Sequence, residues 1–96
     1  MEEWTVVQIA FPPHERGDER RRVISFPALI EGRQVECAVS YQTLWLHFGA
    51  GYNDPLPAFM AHRQRIEQVA AQCIREARFE DDGTVMIRSQ DITPDT

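Results

Sequence analysis

From Val23 to Val39 the side chains alternate in character, and at Ser40 the alternation stops. Ile24, Phe26, Ala28 and Ile30 recur with period two, as do Val35, Cys37 and Val39. Successive side chains of a strand point to opposite faces, so each set lines one face of a sheet. Glu31-Gly32 separates the two runs, and Gly32 supplies a backbone shape that other residues resist. From Tyr41 the period becomes that of a helix, with Tyr41, Leu44, Trp45 and Phe48 on one stripe. The Ser40 hydroxyl is placed to cap the first turn, and Val39 and Leu44 occupy the two positions of a hydrophobic staple.

The remaining elements follow from similar signals. Residues 4–11 are rich in β-branched and aromatic side chains and end at Pro12-Pro13, which predicts a first strand. Residues 14–22 read as a polar loop with Gly17 as its tightest point, and residues 22–30 and 33–39 as the second and third strands. Val23, Ser25, Pro27 and Leu29 fall on the face opposite Ile24, and Gln34, Glu36 and Ala38 point outward. Pro27 cannot donate to a ladder, so its strand is an edge or carries a bulge there. Gly49 ends the short helix, Asp54 is placed to cap the next, and Pro55 and Pro57 suit its first turn. That helix is expected to run to about Phe79, with Phe59, Ile66, Val69, Ala70, Cys73, Ile74 and Ala77 as its apolar stripe and Arg75 suiting its terminal dipole. Residues 80–83 form a turn and residues 84–92 a last strand able to join either sheet edge. Strands first and helices afterwards predict an α+β fold: a small antiparallel sheet in β-β-β-α-α-β order with two helices packed on one face. The chain reads as one domain over residues 1–96, frayed at 1–3 and 93–96.

Composition narrows the function classes. Of 96 residues, 43% are hydrophobic and 26% charged, as in a globular chain. The net charge of −5 argues against a general polyanion binder, because phosphate binding is driven by neutralising cations. The two cysteines, Cys37 and Cys73, form no disulfide framework and fit a reducing compartment. Neither a signal core nor an apolar run of membrane-spanning length is present, so a cytoplasmic location is expected, with no membrane partner.

The run Val23-Ile-Ser-Phe-Pro-Ala28, the turn Glu31-Gly32, the alternation Val35-x-Cys37-x-Val39-Ser40, and then Leu44, Phe48-Gly49, Phe59, Arg63, Ile66 and Ala70 resemble a group of short bacterial proteins, domain of unknown function 1488. The resemblance spans residues 7–91, with the order and spacing of Cys37, Ser40, Phe59, Arg63 and Ile66 its most specific part. It implies a small single-domain bacterial protein. It brings no activity, cofactor or catalytic residue.

The residues that invite a chemical role are few. Arg63 lies about 40° from Phe59 on the helical wheel, close to the apolar stripe. Its stem is expected to cover core while its head pairs with a carboxylate or carbonyls at the sheet edge. The alternative is an anion clamp in a pocket between helix and sheet, with His62 on the other flank and Cys37 pointing inward. Cys37 and Cys73 read as small buried hydrophobes; a reactive thiolate would need exposure and a cationic neighbour. His14, His47 and His62 lack a second ligand at helical spacing, so no metal and no cofactor are expected. Arg20, Arg21 and Arg22 form the chain's basic cluster, but Glu15, Asp18 and Glu19 flank it, leaving weak nucleic-acid binding as a minor reading.

A non-enzymatic interaction module, with a protein partner or a second copy of itself, is the favoured expectation. One sheet face is left uncovered by two helices, and Trp45, Leu46 and Trp4 are the candidate contact residues. A small-molecule or anion-binding protein, or an enzyme, using Arg63, His62 and Cys37 is the alternative.

Overall fold

The hairpin at the centre of the sequence is the centre of the fold. Strands β3 (Val23–Ile30) and β4 (Arg33–Ser40) pair antiparallel along their whole length, from Val23 opposite Ser40 to Ile30 opposite Arg33. The turn between them places both Glu31 (φ 52°) and Gly32 (φ 89°) in the left-handed region. A two-residue turn of that kind matches the twist of the flanking strands. The computed structural model of the chain describes residues 8–51 and 54–92.

Strand β1 (Ile9–Ala10) and strand β2 (Arg16–Asp18) both pair antiparallel with β3 on the side away from β4. Of the first expected strand, residues 4–7 lie outside the described residues, as does Trp4. The segment 14–22 is not wholly a loop. Arg16 pairs with Ser25, Gly17 with Ile24 and Asp18 with Val23, so Gly17 is the middle of a strand rather than a tight turn. The turn lies further on, where the Asp18 carboxylate accepts from the backbone N–H groups of Arg20 and Arg21 and Arg22 takes φ 55°. Pro27 falls in the gap, since β1 reaches Leu29 and β2 only Ser25. A residue without an N–H belongs where no neighbouring strand asks for one.

Ser40 caps helix α1 (Tyr41–Phe48): its hydroxyl oxygen accepts from the Thr43 N–H at 3.0 Å and donates to the Thr43 hydroxyl at 2.8 Å. Gly49, at φ 72°, ends the helix in the left-handed conformation. Asp54 does not cap the next helix. Pro55 occupies that position with no side-chain cap, and Asp54 bridges to Gly51. The long helix is also divided. Helix α2 (Leu56–Ala61) and helix α3 (Arg63–Arg75) meet at His62, whose φ −115° and ψ 21° are not helical. The division lets α2 pack on α1 while α3 packs on the last strand. The His62 ring packs against Phe48 of α1 in a tilted arrangement, with centroids 5.1 Å apart.

Helix α3 stops at Arg75, short of Phe79. The Ala77 N–H donates to the Ile74 carbonyl and the Arg78 N–H to the Cys73 carbonyl, both at 2.9 Å, with Ala77 at φ 56°. These two bonds satisfy the last carbonyls around a left-handed residue, a helix stop that usually takes glycine. Arg75 sits in the last turn, as the dipole favours.

The final strand is shorter than the pattern predicts and runs the other way from an antiparallel partner. Strand β5 (Val85–Ile87) lies parallel to β4, and Ser89–Asp91 forms a short 3-10 turn. Parallel pairing needs a long crossover, which the helices provide. Among the described residues the fold is α+β: a five-stranded, mostly antiparallel sheet, with β3 and β4 at its centre and three helices on one face. Ile24, Phe26, Ala28, Cys37, Val39, Val85 and Ile87 meet Leu44, Phe59, Ile66, Ala70 and Cys73 in a single core. Burying each large side chain here contributes about 1.5–3 kcal/mol.

Candidate functional site

Arg63 opens α3 and points back over the segment that joins β1 to β2. Its Nε–H donates to Glu67 Oε2 at 2.6 Å, Nη1 pairs with Glu15, and Nη2 donates to the Pro12 carbonyl at 3.0 Å. The guanidinium also lies over the Phe59 ring, 5.5 Å from its centroid. Burial opposes the charge on Arg63, but the hydrogen bonds it donates to Glu15 and Glu67 outweigh that and raise its pKa. In return the Arg63 hydrogen bond holds the Glu15 carboxyl below its usual range, helped by a backbone bond within Glu15 itself. A planar fork with several donors suits such a junction better than a point charge. Its effect is to fasten residues 12–15 to the start of α3.

The other two residues grouped with Arg63 point elsewhere. His62 is exposed and turned to Phe48. Cys37 has no exposed surface; burial pushes its thiol up to about 12, with a further contribution from Cys73 and Glu36. Cys73 is raised as well, first by burial and then by Asp91. Both thiols therefore remain protonated at neutral pH, and a thiol is a poor nucleophile in that form.

The histidines do not gather. His47 is exposed and shares a 2.6 Å hydrogen bond with Ser89, while His14 lies in the β1–β2 segment. Among the described residues no group of three His, Cys, Asp or Glu is arranged to hold a metal ion. Of the basic cluster, Arg22 lies over the Tyr41 ring at 5.1 Å, and Arg20 and Arg21 are exposed beside Asp18 and Glu19. Among the described residues no helix is long and apolar enough to cross a membrane.

Trp45 and Leu46 are both 54% exposed on α1, and Leu56 and Met60 are exposed on α2. The sequences of these helices, YQTLWLHF and LPAFMA, contain no Asp, Glu, Lys or Arg. In a chain that is 26% charged, that makes an uncharged surface.

The open face of the sheet carries the residues that the alternation puts there, but it is less exposed than that pattern implies. Ala38 points to it yet is buried, in register with Ser25 on one side and Met86 on the other. Two adjoining cavities of about 570 and 310 Å³ share Arg16, Ser25 and Glu36 in their walls. The alternation puts Ser25 and Glu36 on the outward face, but a loop at residues 14–22 gives no reason to set Arg16 beside them. Residues 16–18 carry no strand pattern of their own; their pairing with Val23 to Ser25 is what brings Arg16 to the open face.

This architecture and sequence place the chain in a known family: residues 9–87 match the family described as protein of unknown function (DUF1488), and the chain belongs to it. It is 36% identical over 80 residues to uncharacterized protein YrdB of Escherichia coli strain K12, an alignment covering 82% of this chain and 94% of that one. The identity to YrdB of Shigella flexneri is also 36%, with the same coverage. The crystal structure of a DUF1488-family protein of unknown function from Shewanella loihica PV-4 has the same fold. Its TM-score is 0.77 at 23% identity, over 82% of this chain and 90% of that one.

Proposed function

We propose that the protein is a non-catalytic interaction module whose contact surface is the uncharged outer face of α1 and α2, and whose partner is a second copy of the chain. The observation that carries this reading is the exposure of Trp45, Leu46, Leu56 and Met60 on two packed helices free of Asp, Glu, Lys and Arg. Interface centres are depleted of charge and enriched in aromatic residues and Met. A two-fold axis through such a patch brings uncharged surface to uncharged surface, so the net charge of −5 on each copy stays away from the contact. The internal engagement of Arg63 and the sealed position of Cys37 support a structural role for both rather than a catalytic one.

Sedimentation velocity tests the reading. The wild-type chain is expected to sediment as a dimer at about 100 μM, and Trp45→Asp or Leu46→Asp as a folded monomer, with the loss of an anchor costing about 2 kcal/mol or more of association. A monomeric wild type would overturn self-association and leave the face to a different protein. A dimer that survives both substitutions would place the contact elsewhere.

A further inference from the structure

The cavities on the open face lie on the side of the sheet opposite α1 and α2. Asp18 and Glu19 in the wall of the smaller one are engaged, by the Arg20 and Arg21 N–H groups and by the Tyr41 hydroxyl, but among the described residues the side chains of the three residues the two cavities share are not. Ser25 stands in the middle strand of three, with Arg16 beside it on β2 and Ala38 on β4. It is only 6% exposed, and among the described residues its hydroxyl has no hydrogen-bond partner. Buried hydroxyls are nearly always paired, so one left unpaired at a cavity floor calls for an explanation. Arg16 and Glu36 rise on either side. Neither makes a hydrogen bond or ion pair with a side chain among the described residues, and they are not paired with each other. This contrasts with Arg63, which engages three acceptors.

We infer that this cavity binds a small zwitterion with an apolar body, an α-amino acid or a short peptide. The argument is one of charge and spacing. Arg16 and Glu36 stand on strands either side of β3, two strand spacings apart, and Glu36 is offset by two residues along the strand, opposite Pro27, so their backbones are about 12 Å apart. Both side chains are long enough to reach inward from there. A purely anionic ligand on Arg16 would sit beside the Glu36 carboxylate, and a purely cationic one on Glu36 beside a guanidinium. Each would set like charges beside one another, which is unfavourable. A ligand carrying both charges answers both walls: its carboxylate takes the Arg16 fork and its ammonium the Glu36 carboxylate. Ser25 can donate to the first or accept from the second. Pro27 and Leu29 line the same cavity and offer an apolar wall for the ligand's body, and His14 borders the Arg16 side. The volume is in the range of small-molecule sites, about 300–1,000 Å³.

The test is a proton–nitrogen correlation titration of the full chain with L-leucine and with the dipeptide Leu-Leu, each to about 20 mM, a range that detects even millimolar binding. At least one probe is expected to give saturable shifts centred on the amides of Arg16, Ser25 and Glu36. Removing one charge from that probe, by amidation or by N-acetylation, is expected to weaken binding at least about tenfold, as are Arg16→Gln and Glu36→Gln. Ser25→Ala is expected to weaken binding while leaving the thermal midpoint in place, which separates a ligand contact from a folding defect. The absence of saturable shifts with both probes would overturn the inference. So would equal binding of the derivatives that lack a charge, or shifts centred away from these residues. None of these outcomes depends on the α1–α2 contact, which lies on the other face.

Discussion

One strand, β3, serves both sides of the sheet, and the two sides are put to different use. Ile24, Phe26 and Ala28 face the helices and are sealed; Ser25, Pro27 and Leu29 face the open side, where the groups are small, polar or half-exposed. Each side carries an arginine. Arg63, on the helix side, is occupied by Glu67, Glu15, Pro12 and the Phe59 ring. Arg16, on the open side, has no such set among the described residues. The difference teaches that an arginine near a core does not mark a site by its identity. What matters is whether the fold has already spent its donors.

The sharpest way to break the comparison is to cut into the sealed side. Phe26 is 1% exposed and packs against Phe59 with ring centroids 5.4 Å apart. Phe26→Ala is expected to lower unfolding stability by about 3–5 kcal/mol, the loss of transfer energy plus the cavity left behind. Urea denaturation measures it, and a loss below about 1 kcal/mol would mean that the core around Phe26 is not packed as described.

A smaller effect is expected at Arg63. Arg63→Ala strands the Glu15 and Glu67 carboxylates, whose partner is mostly withdrawn from water, and is expected to cost about 2 kcal/mol. The pH dependence gives the same residue a second readout. Glu15 is held below its usual range in the folded chain, so its contribution is present above the unfolded carboxylate value of about 4.3 and is lost as pH falls through the folded value. Urea midpoints taken between about pH 3 and 7 should therefore fall less steeply on the acid side in Arg63→Ala than in the wild type. Parallel acid limbs would remove Arg63 as the cause of the Glu15 shift.

Much of this was legible in the chain. The alternation around Glu31-Gly32 located the central hairpin, and Ser40 and Gly49 marked both ends of α1 because caps are local chemistry. The packing of Arg63 against a carboxylate and a carbonyl followed from a charged head on an apolar stripe. Three features were not legible, for one shared reason: each depends on a partner distant in sequence. The helix breaks at His62 because α2 and α3 serve different neighbours, and the stripe across residues 59–74 does not record that. The direction of β5 depends on where the helices deliver the chain. The strand at Arg16–Asp18 is read from its pairing with β3, since three residues containing a glycine have no pattern of their own. Helix α3 ended early for a local reason that runs against propensity, with Ala77 in a conformation that alanine seldom adopts.

The smallest expected effect is the one that most sharpens the contrast between the two arginines. Arg16→Gln removes a charge without removing an internal contact among the described residues, and is expected to change stability by no more than about 0.5 kcal/mol. Set beside Arg63→Ala and measured in the same urea titrations, it asks whether Arg16 belongs to the framework. A loss near that of Arg63→Ala would mean that Arg16 holds the β2 edge in place and that its donors are structural after all. A loss near zero leaves Arg16 as a cation that the fold positions but does not use, beside a buried serine that the fold also does not use. A framework cation is felt in stability first; a cation kept for a ligand is felt only when the ligand is present.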